Sequence, residues 1–314
     1  MYNECIKKLT NSISASSVQY RELDKVIAFL RTEIQPRVRA SSVHAFGSAC
    51  NGLWTSASDA DLTLIVPRCN NKGKILTKLR VVREYVWKMG GDFPVKSIDL
   101  VENARIPILK LATRSPILPE IDLSINNISG IENSLLVREW TRFDSRFIPV
   151  AMAVKHWARS RKINDRARGT LSTYTLLLQL VFVMQQHSML PLFVDFGNLK
   201  LVESPFDELN GVLRETPFNT SFSFNSKSEL SVSELFELFF KTFGDDEMKN
   251  GAEIVDGTII TKPSASGALI MRCPLTGKDV NVMTASAWKN IHAEFARTTD
   301  MISQKTQLDS ILNA

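Results

Sequence analysis

Two aspartates, Asp59 and Asp61, stand two residues apart at the entrance to the apolar run "LTLIV". In an extended chain residues i and i+2 project from one face, so both carboxylates are aimed at one point. Like charges held that close repel unless a proton or a cation lies between them, and hard oxygen ligands suit Mg2+ or Mn2+. A bare Asp-x-Asp is more often a solvated strand end than a site, but three neighbours change that reading. Gly47-Ser48 offers a backbone that a phosphate can approach closely, with a hydroxyl and N–H groups for its oxygens. Ser58 adds a hydroxyl beside the first aspartate. Asp122, in "EIDLSIN", lies between Ile121 and Leu123, so it faces away from the core that they enter. Three aspartates on neighbouring strands can hold two metal ions.

The elements that must position these groups are visible as patterns. "DLTLIV" alternates and is rich in β-formers until Pro67 stops it, and "VKSIDLV", "RIPILKLA" and "EIDLSIN" read as three further strands. Leu23, Val26, Ile27, Leu30 and Ile34 follow helical spacing and predict an opening helix that Pro36 closes. A stripe of Ile75, Leu76, Leu79, Val82, Val86 and Met89 predicts a second helix, with Gly90-Gly91 as its stop. From Leu135 the pattern is helical: "FIPVAMAVKHWARSRK", "STYTLLLQLVFVMQQH", "SVSELFELFFKTF" and "ASAWKNIHAEFA". Pro, Asn, Ser and Gly residues between Pro191 and Ser231 predict loops that cross a surface or edge a cleft. The chain thus reads as an α+β unit followed by a mainly helical one, with no internal repeat.

With 314 residues there is chain for two cores. A hydrophobic share of 44% and a charged share of 23% predict a chain that folds throughout. Lys and Arg number 38 against 33 Asp and Glu, a net +5 that suits an anionic partner, and "RSRKINDRAR" from Arg159 to Arg168 concentrates that charge. Cys5, Cys50, Cys69 and Cys273 lack the paired spacing of a zinc site or a secreted disulfide framework, so a reducing compartment is expected. "TLLLQLVFVM" is about half the roughly 20 residues that span a bilayer and predicts a core helix in a soluble protein with no membrane partner. "MYNECIKKL" has neither the look of a signal peptide nor that of an Arg-rich transit peptide. His44, His156, His187 and His292 suggest no triad or zinc site, and none is assigned a catalytic role.

"FGS…GL…SDADLTLIV" with the later "EIDLSINN" resembles the DNA polymerase β-type nucleotidyltransferase superfamily, in its branch of terminal uridylyltransferases and related poly(A) polymerases. "VKHWARSRKINDRARGTLSTYTLL" is similar to the segment of that branch that carries base and triphosphate contacts, and "SELFELFFKTFGDD" followed by "VNV" at 280–282 is a fainter match. The likeness runs over residues 40 to 285 or so. The compact length is similar to that of the small uridylyltransferases of trypanosome mitochondria that act in guide-RNA-directed editing.

The resemblance implies an α+β fold: a polymerase β-like mixed-sheet domain over 35–137 and a mainly α-helical domain from 1–34 and 138–314, with the active-site cleft between them. The opening helix is expected to pack back on the helical domain. The resemblance also implies a two-metal enzyme, in which Asp59 and Asp61 bridge two Mg2+ or Mn2+ ions and Asp122 binds the second. The RNA 3′-hydroxyl then attacks the α-phosphate and pyrophosphate leaves. Lys155 and Arg159, four apart on one helical face, would clamp the β- and γ-phosphates. Thr173 and Tyr174 match a Ser-Tyr pair whose hydroxyl meets a phosphate and whose ring stacks on the base. Asn133 and Ser134 match the readers of ribose hydroxyls and base edge, with an N-cap of a helix starting at Leu135 as their plainer role.

The expected activity is addition of UMP from UTP to RNA 3′ ends in mitochondrial RNA editing or processing, with UTP, RNA and editing-complex proteins as partners. A cytoplasmic location is the alternative to a mitochondrial one. A poly(A) polymerase, an inactive RNA-binding scaffold and a small-molecule nucleotidyltransferase are the alternative functions. Two departures stand out. Cys273-Pro274 replaces an acidic residue that often helps to recognise uracil N3–H, leaving Asp279 or an ordered water as the acceptor, and "NVGR" has become "NVMT", leaving Arg105 and Arg142 as RNA contacts.

Overall fold

The computed structural model describes residues 2–89, 95–192, 206–207, 212–213, 224–262, 264–281 and 283–313. Gly90-Gly91, Val282 of the "VNV" match and most of the stretch from 191 to 231 lie outside the described residues. The chain divides into two compact units: a sheet-bearing unit over Ile13–Arg138 and a helical unit built from residues 2–12, 139–192 and 224–313. Helix α1 (Asn3–Ile13) buries Ile6 and, as far as Ser12, belongs to the helical unit.

The sheet unit begins with α2 (Ser17–Phe29), capped by the Ser16 hydroxyl, which accepts from the Gln19 N–H at 3.2 Å. A π turn over Leu30–Ile34 leads into α3 (Gln35–Val38), and Arg39 ends it in the left-handed conformation. Pro36 therefore does not close the helix as expected. It lies in the first turn of α3, where a missing N–H goes unnoticed. The apolar stripe Leu23, Val26, Leu30, Ile34 packs into one core with Leu62, Leu64, Leu79 and Leu123, so residues 13–34 belong to the sheet unit, not to the helical domain expected over 1–34. The stripe goes where the larger apolar face is, each buried aliphatic side chain contributing about 1.5–3 kcal/mol.

Five strands form the sheet: β1 (Ser42–Phe46), β2 (Ala60–Ile65), β3 (Val95–Val101), β4 (Ile108–Thr113) and β5 (Glu120–Ile125). Their order is β1-β2-β5-β4-β3; β2 and β5 run parallel and the other neighbours antiparallel. Helix α4 (Lys72–Lys88), capped by Asn71, joins β2 to β3 and buries Leu79, Val82 and Val86 in the core with α2. On the opposite face Phe46 and Ile65 pack with Ile131 and Leu135 of α5 (Ile128–Phe143). Asn127 accepts from the Gly130 N–H at 3.1 Å and starts α5 seven residues before the expected Leu135. Asn133 and Ser134 thus lie inside the helix and do not cap it. Two short strands, β6 (Phe206–Asp207) and β7 (Val212–Leu213), pair antiparallel.

The helical unit holds α6 (Phe147–Ser160), α7 (Thr173–Gln186), α8 (Val232–Phe243), α9 (Ala285–Ser303) and α10 (Leu308–Asn313), with a parallel pair β8 (Gly251–Ala252) and β9 (Ile270–Met271). A capping box of Ser231 and Glu234 starts α8. Phe236, Phe239, Phe240 and Phe243 of α8 form an aromatic core with Phe295 of α9 and Trp157 of α6, whose ring centroid is 4.7 Å from that of Phe240. The Trp157 indole N–H donates to Thr298 at 3.0 Å, so the core's polar atom is paired. "TLLLQLVFVM" is buried along α7, and no described helix is long and apolar enough to cross a membrane.

Candidate active site

Strand register gathers the polar residues of the sheet. Asp61 lies directly opposite Asp122 on β2 and β5, Asp122 opposite Lys110 on β4, and Lys110 opposite Asp99 on β3. Residues directly opposite one another share a face, so a charged row of three aspartates and one lysine crosses four strands. Its face is the one away from the core that receives Leu62, Leu111, Ile121 and Leu123. Lys110 donates to Glu120 at 2.5 Å and stands 3.6 Å from Asp122 Oδ1. Burial pushes the Asp122 carboxyl up to about 6; Lys110 pulls it down, while Asp59 and Glu120 push the same way as burial. For Lys110 burial opposes the charge, but the hydrogen bond to Glu120 and the nearby carboxylates outweigh it and raise its pKa.

Asp59 precedes β2 and is exposed, and its carbonyl and that of Ser58 accept from the buried Trp54 indole at 3.1 and 3.2 Å. Among the described residues no three His, Cys, Asp or Glu side chains converge closely enough to hold an ion together. The expected triple of Asp59, Asp61 and Asp122 is thus gathered on one face but not closed. Like charges separate, Asp122 leaning on Lys110 and the Asp61 carboxylate packing under Gly47. Asp122 Oδ1 is nevertheless buried without a hydrogen-bond partner among the described residues, an acceptor-only oxygen of the kind that a hard cation completes.

Gly47 follows β1 with φ +67, and a Cβ there would collide with the Asp61 carboxylate. Its N–H donates to Ser134 Oγ at 2.6 Å, and Ser134 Oγ donates to the Gly130 carbonyl at 2.6 Å. Ser134 therefore braces the glycine turn from α5, and its hydroxyl is buried rather than offered to a ribose as expected. Ser48 is half-buried in the 3-10 turn Gly47–Ala49. The Ser58 hydroxyl is buried and paired with Thr55 at 2.5 Å. Asn133 is half-buried on α5. Arg105 is exposed in the β3–β4 connection, and Arg142 pairs with Glu139 at 2.8 Å.

In the helical unit, Lys155 is buried on α6 and Arg159, one turn on, is exposed. Of the cluster Arg159 to Arg168, Arg161 is no surface charge: its side chain is buried, pairs with Glu294 at 3.1 Å and lies over the Trp157 ring. Thr173 donates to Asn164 at 3.2 Å at the start of α7. The Tyr174 hydroxyl is 3.4 Å from Cys273 Sγ, and burial and the neighbouring thiol hold its pKa well above the usual value. Asp279 is exposed, and its Oδ1 accepts from the N–H groups of Met271 and Asn281 at 3.1 and 3.0 Å. That oxygen ties the turn after β9 together. Lys110, Glu120 and Trp54 were not singled out by sequence. The alternation of "RIPILKLA" puts Lys110 opposite Leu109 and Leu111, but which carboxylates it meets is set by pairing with a strand ten residues on.

Comparison with known proteins bears on the fold that carries these residues. Residues 3–142 match the family model of the central palm domain of mitochondrial-like poly(A) RNA polymerases. Poly(A) RNA polymerase GLD2 of Danio rerio is 33% identical over 184 residues, 57% of this chain and 37% of its own. GLD2-B of Xenopus laevis is 29% identical over 245 residues, 76% of this chain and 46% of its own. The chain spans less than half the length of these relatives. Among solved structures, the GLD-2/RNP-8 complex matches with a TM-score of 0.81 at 19% identity, covering 99% of this chain and 97% of that one. Cid1 with its short product ApU gives 0.76 at 21%, covering 99% and 97%. A cytoplasmic RNA terminal U-transferase gives 0.78 at 22%, covering 99% and 96%. The finer likeness to trypanosome editing enzymes is not supported by these relatives. With aspartates on adjacent parallel strands, a glycine turn beside them and this strand order, the fold of the chain is that of the polymerase β-like nucleotidyltransferases.

Proposed function

We propose that this chain adds a nucleotide, without a template, to the 3′-hydroxyl of RNA, and that the nucleotide is AMP from ATP. The observation that carries the transfer is the register of Asp61 with Asp122, whose Oδ1 is buried without a hydrogen-bond partner among the described residues. Asp59, Asp61 and Asp122 would hold divalent Mg2+ or Mn2+, which when bound neutralises triphosphate charge and lowers the pKa of the attacking hydroxyl. The Asp122 carboxylate could also accept the proton of that hydroxyl. The Gly47 turn lets phosphate oxygens come close to the backbone, Lys155 and Arg159 supply charge for the β- and γ-phosphates, and the Tyr174 ring stacks on the base.

AMP is favoured over the expected UMP on two grounds. The curated relatives named above are poly(A) polymerases. In addition, reading uracil N3–H needs an acceptor, whereas Cys273, beside the Tyr174 hydroxyl, offers a thiol where the resemblance leads one to expect a carboxylate. The test is incubation of the protein with labelled RNA and each of the four nucleoside triphosphates. A ladder with ATP supports the reading, a ladder with UTP alone restores the uridylyltransferase, and no product with any of them, Mg2+ and Mn2+ both tried, leaves an inactive scaffold. A mitochondrial location stands as a separate proposal, read by imaging the full-length protein.

A further inference from the structure

Strand β2 has Asp61 near its start and runs, at its other end, into the loop Val66–Cys69, about 17 Å away at about 3.3 Å per residue. At that far end a pocket of about 330 Å³ opens between the loop, the end of α3 and the first turns of α4. Arg39, Arg68, Lys74 and Lys78 line it together with Thr77, and among the described residues no carboxylate does. Among the described residues none of the four cations has an ion-pair partner.

Four like charges do not gather without being held. Lys78 donates to the Val38 carbonyl at 2.9 Å and Lys74 to the Arg68 carbonyl at 3.2 Å. Arg39 and Arg68 both adopt positive φ, +57 and +59, an unusual conformation for a side chain of that size. The loop is pinned by the Asn126 amide, which accepts from the Val66 N–H at 2.7 Å and donates to the Val66 and Cys69 carbonyls, each at 2.9 Å. The buried thiol of Cys69 records the convergence: burial raises its pKa, and Lys78 and Lys74 pull it back. Seven residues beyond Lys78, on the same face of α4, Tyr85 lies with the Arg37 guanidinium 5.2 Å over its ring. Cations continued by an aromatic residue form a surface suited to nucleic acid.

We propose that this pocket binds backbone phosphates of the RNA whose 3′ end is extended, at a point several nucleotides upstream of that end. The assignment rests on the reading of RNA as substrate. Its size admits a phosphate group, and its distance from Asp61 along β2 excludes a role at the reacting phosphates themselves.

The test is the binding of fluorescently labelled RNAs of about 20 and about four nucleotides, without nucleoside triphosphate, across a range of salt. Arg68→Gln with Lys74→Gln removes two cations and leaves Lys78 on its carbonyl. The expected result is about a tenfold loss of affinity for the long RNA and a salt slope reduced by about 1.4, with the short RNA unaffected. Thr77→Glu is the second variant: it adds a carboxylate to the pocket while keeping every cation, and should weaken the long RNA alone. Unchanged affinity and slope in both variants, or equal losses for both RNAs, would overturn the proposal. So would a calorimetric inorganic-phosphate signal that disappears in the double variant while long-RNA binding persists, since the pocket then serves a free phosphate. Because binding is read without chemistry, loss of the long RNA in a protein that transfers no nucleotide would refute the transfer reading and leave the pocket standing.

Discussion

The two units hold their candidate groups by opposite means. In the sheet unit, backbone pairing sets the positions of Asp61, Asp122 and Lys110, while their side chains are half-buried and carry little of the packing. In the helical unit, Thr173, Tyr174 and Asp279 are held by side-chain contacts to Asn164, Cys273 and the loop backbone, so they are part of what keeps that unit folded. The contrast teaches that chemistry and stability are separable in the first unit and entangled in the second.

The sharpest way to break that contrast is Asp122→Asn. Transfer should fall about 1,000-fold or more, some 4 kcal/mol in barrier, in single-turnover rates. The urea midpoint should hold or rise, because burial already disfavours the charge that the amide removes. A lost midpoint would mean that the sheet unit, too, depends on its site for folding. Next in size, Glu294→Ala strands the Arg161 guanidinium, whose side chain is 2% exposed, and should cost about 3 kcal/mol in urea unfolding. A change below about 1 kcal/mol would show that the Trp157 ring alone satisfies Arg161.

Gly47→Ala sharpens the comparison inside the sheet unit, since it combines positive φ with a collision against Asp61. We expect a stability loss of about 1–3 kcal/mol and a rate loss well beyond what that loss explains, read at a temperature where the variant is folded. Smallest is a difference in thiol reactivity between the units. Burial holds the Cys50 thiol up at about 11, Asp61 adding to the effect against Arg138, whereas Cys5 is exposed. At pH 8 about one Cys50 thiol in a thousand is thiolate, so iodoacetamide should label Cys5 first, and Cys50 labelling should rise about tenfold per pH unit toward pH 10. Equal labelling at pH 8 would mean that the turn around Cys50 opens to solvent.

Much of the sheet unit was legible because its signals are local. Alternation marks β2 and β5, and the stripe from Ile75 to Val86 marks α4, because each follows from the geometry of a single element. Helix α1 went unseen because it buries Ile6 within a polar run. The start of α5 was misplaced because its cap, Asn127, precedes the apolar pattern by several residues. Lys110 was missed for a deeper reason: its neighbours are chosen by pairing between strands, and one strand's sequence does not state its register with another. The burial of Ser58 was not visible because its hydroxyl finds Thr55 three residues back, a short-range partner that spacing alone does not mark.

The charged row across β3, β4, β5 and β2 also dictates where this chain tolerates change in length. A residue inserted within β5 would turn Asp122 to the opposite face and bring a leucine or isoleucine into its place, so strand lengths are frozen even where individual side chains are free. The turn between Thr113 and Glu120 is different. It is closed from within, the Thr113 N–H donating to the Pro119 carbonyl at 2.8 Å and its hydroxyl to Leu118, and Pro116 and Ile117 at its tip are exposed. Extra residues at that tip leave the pairing of β4 with β5 intact, which makes it the natural point of entry for an insertion, whether by drift among relatives or by a peptide tag placed by hand.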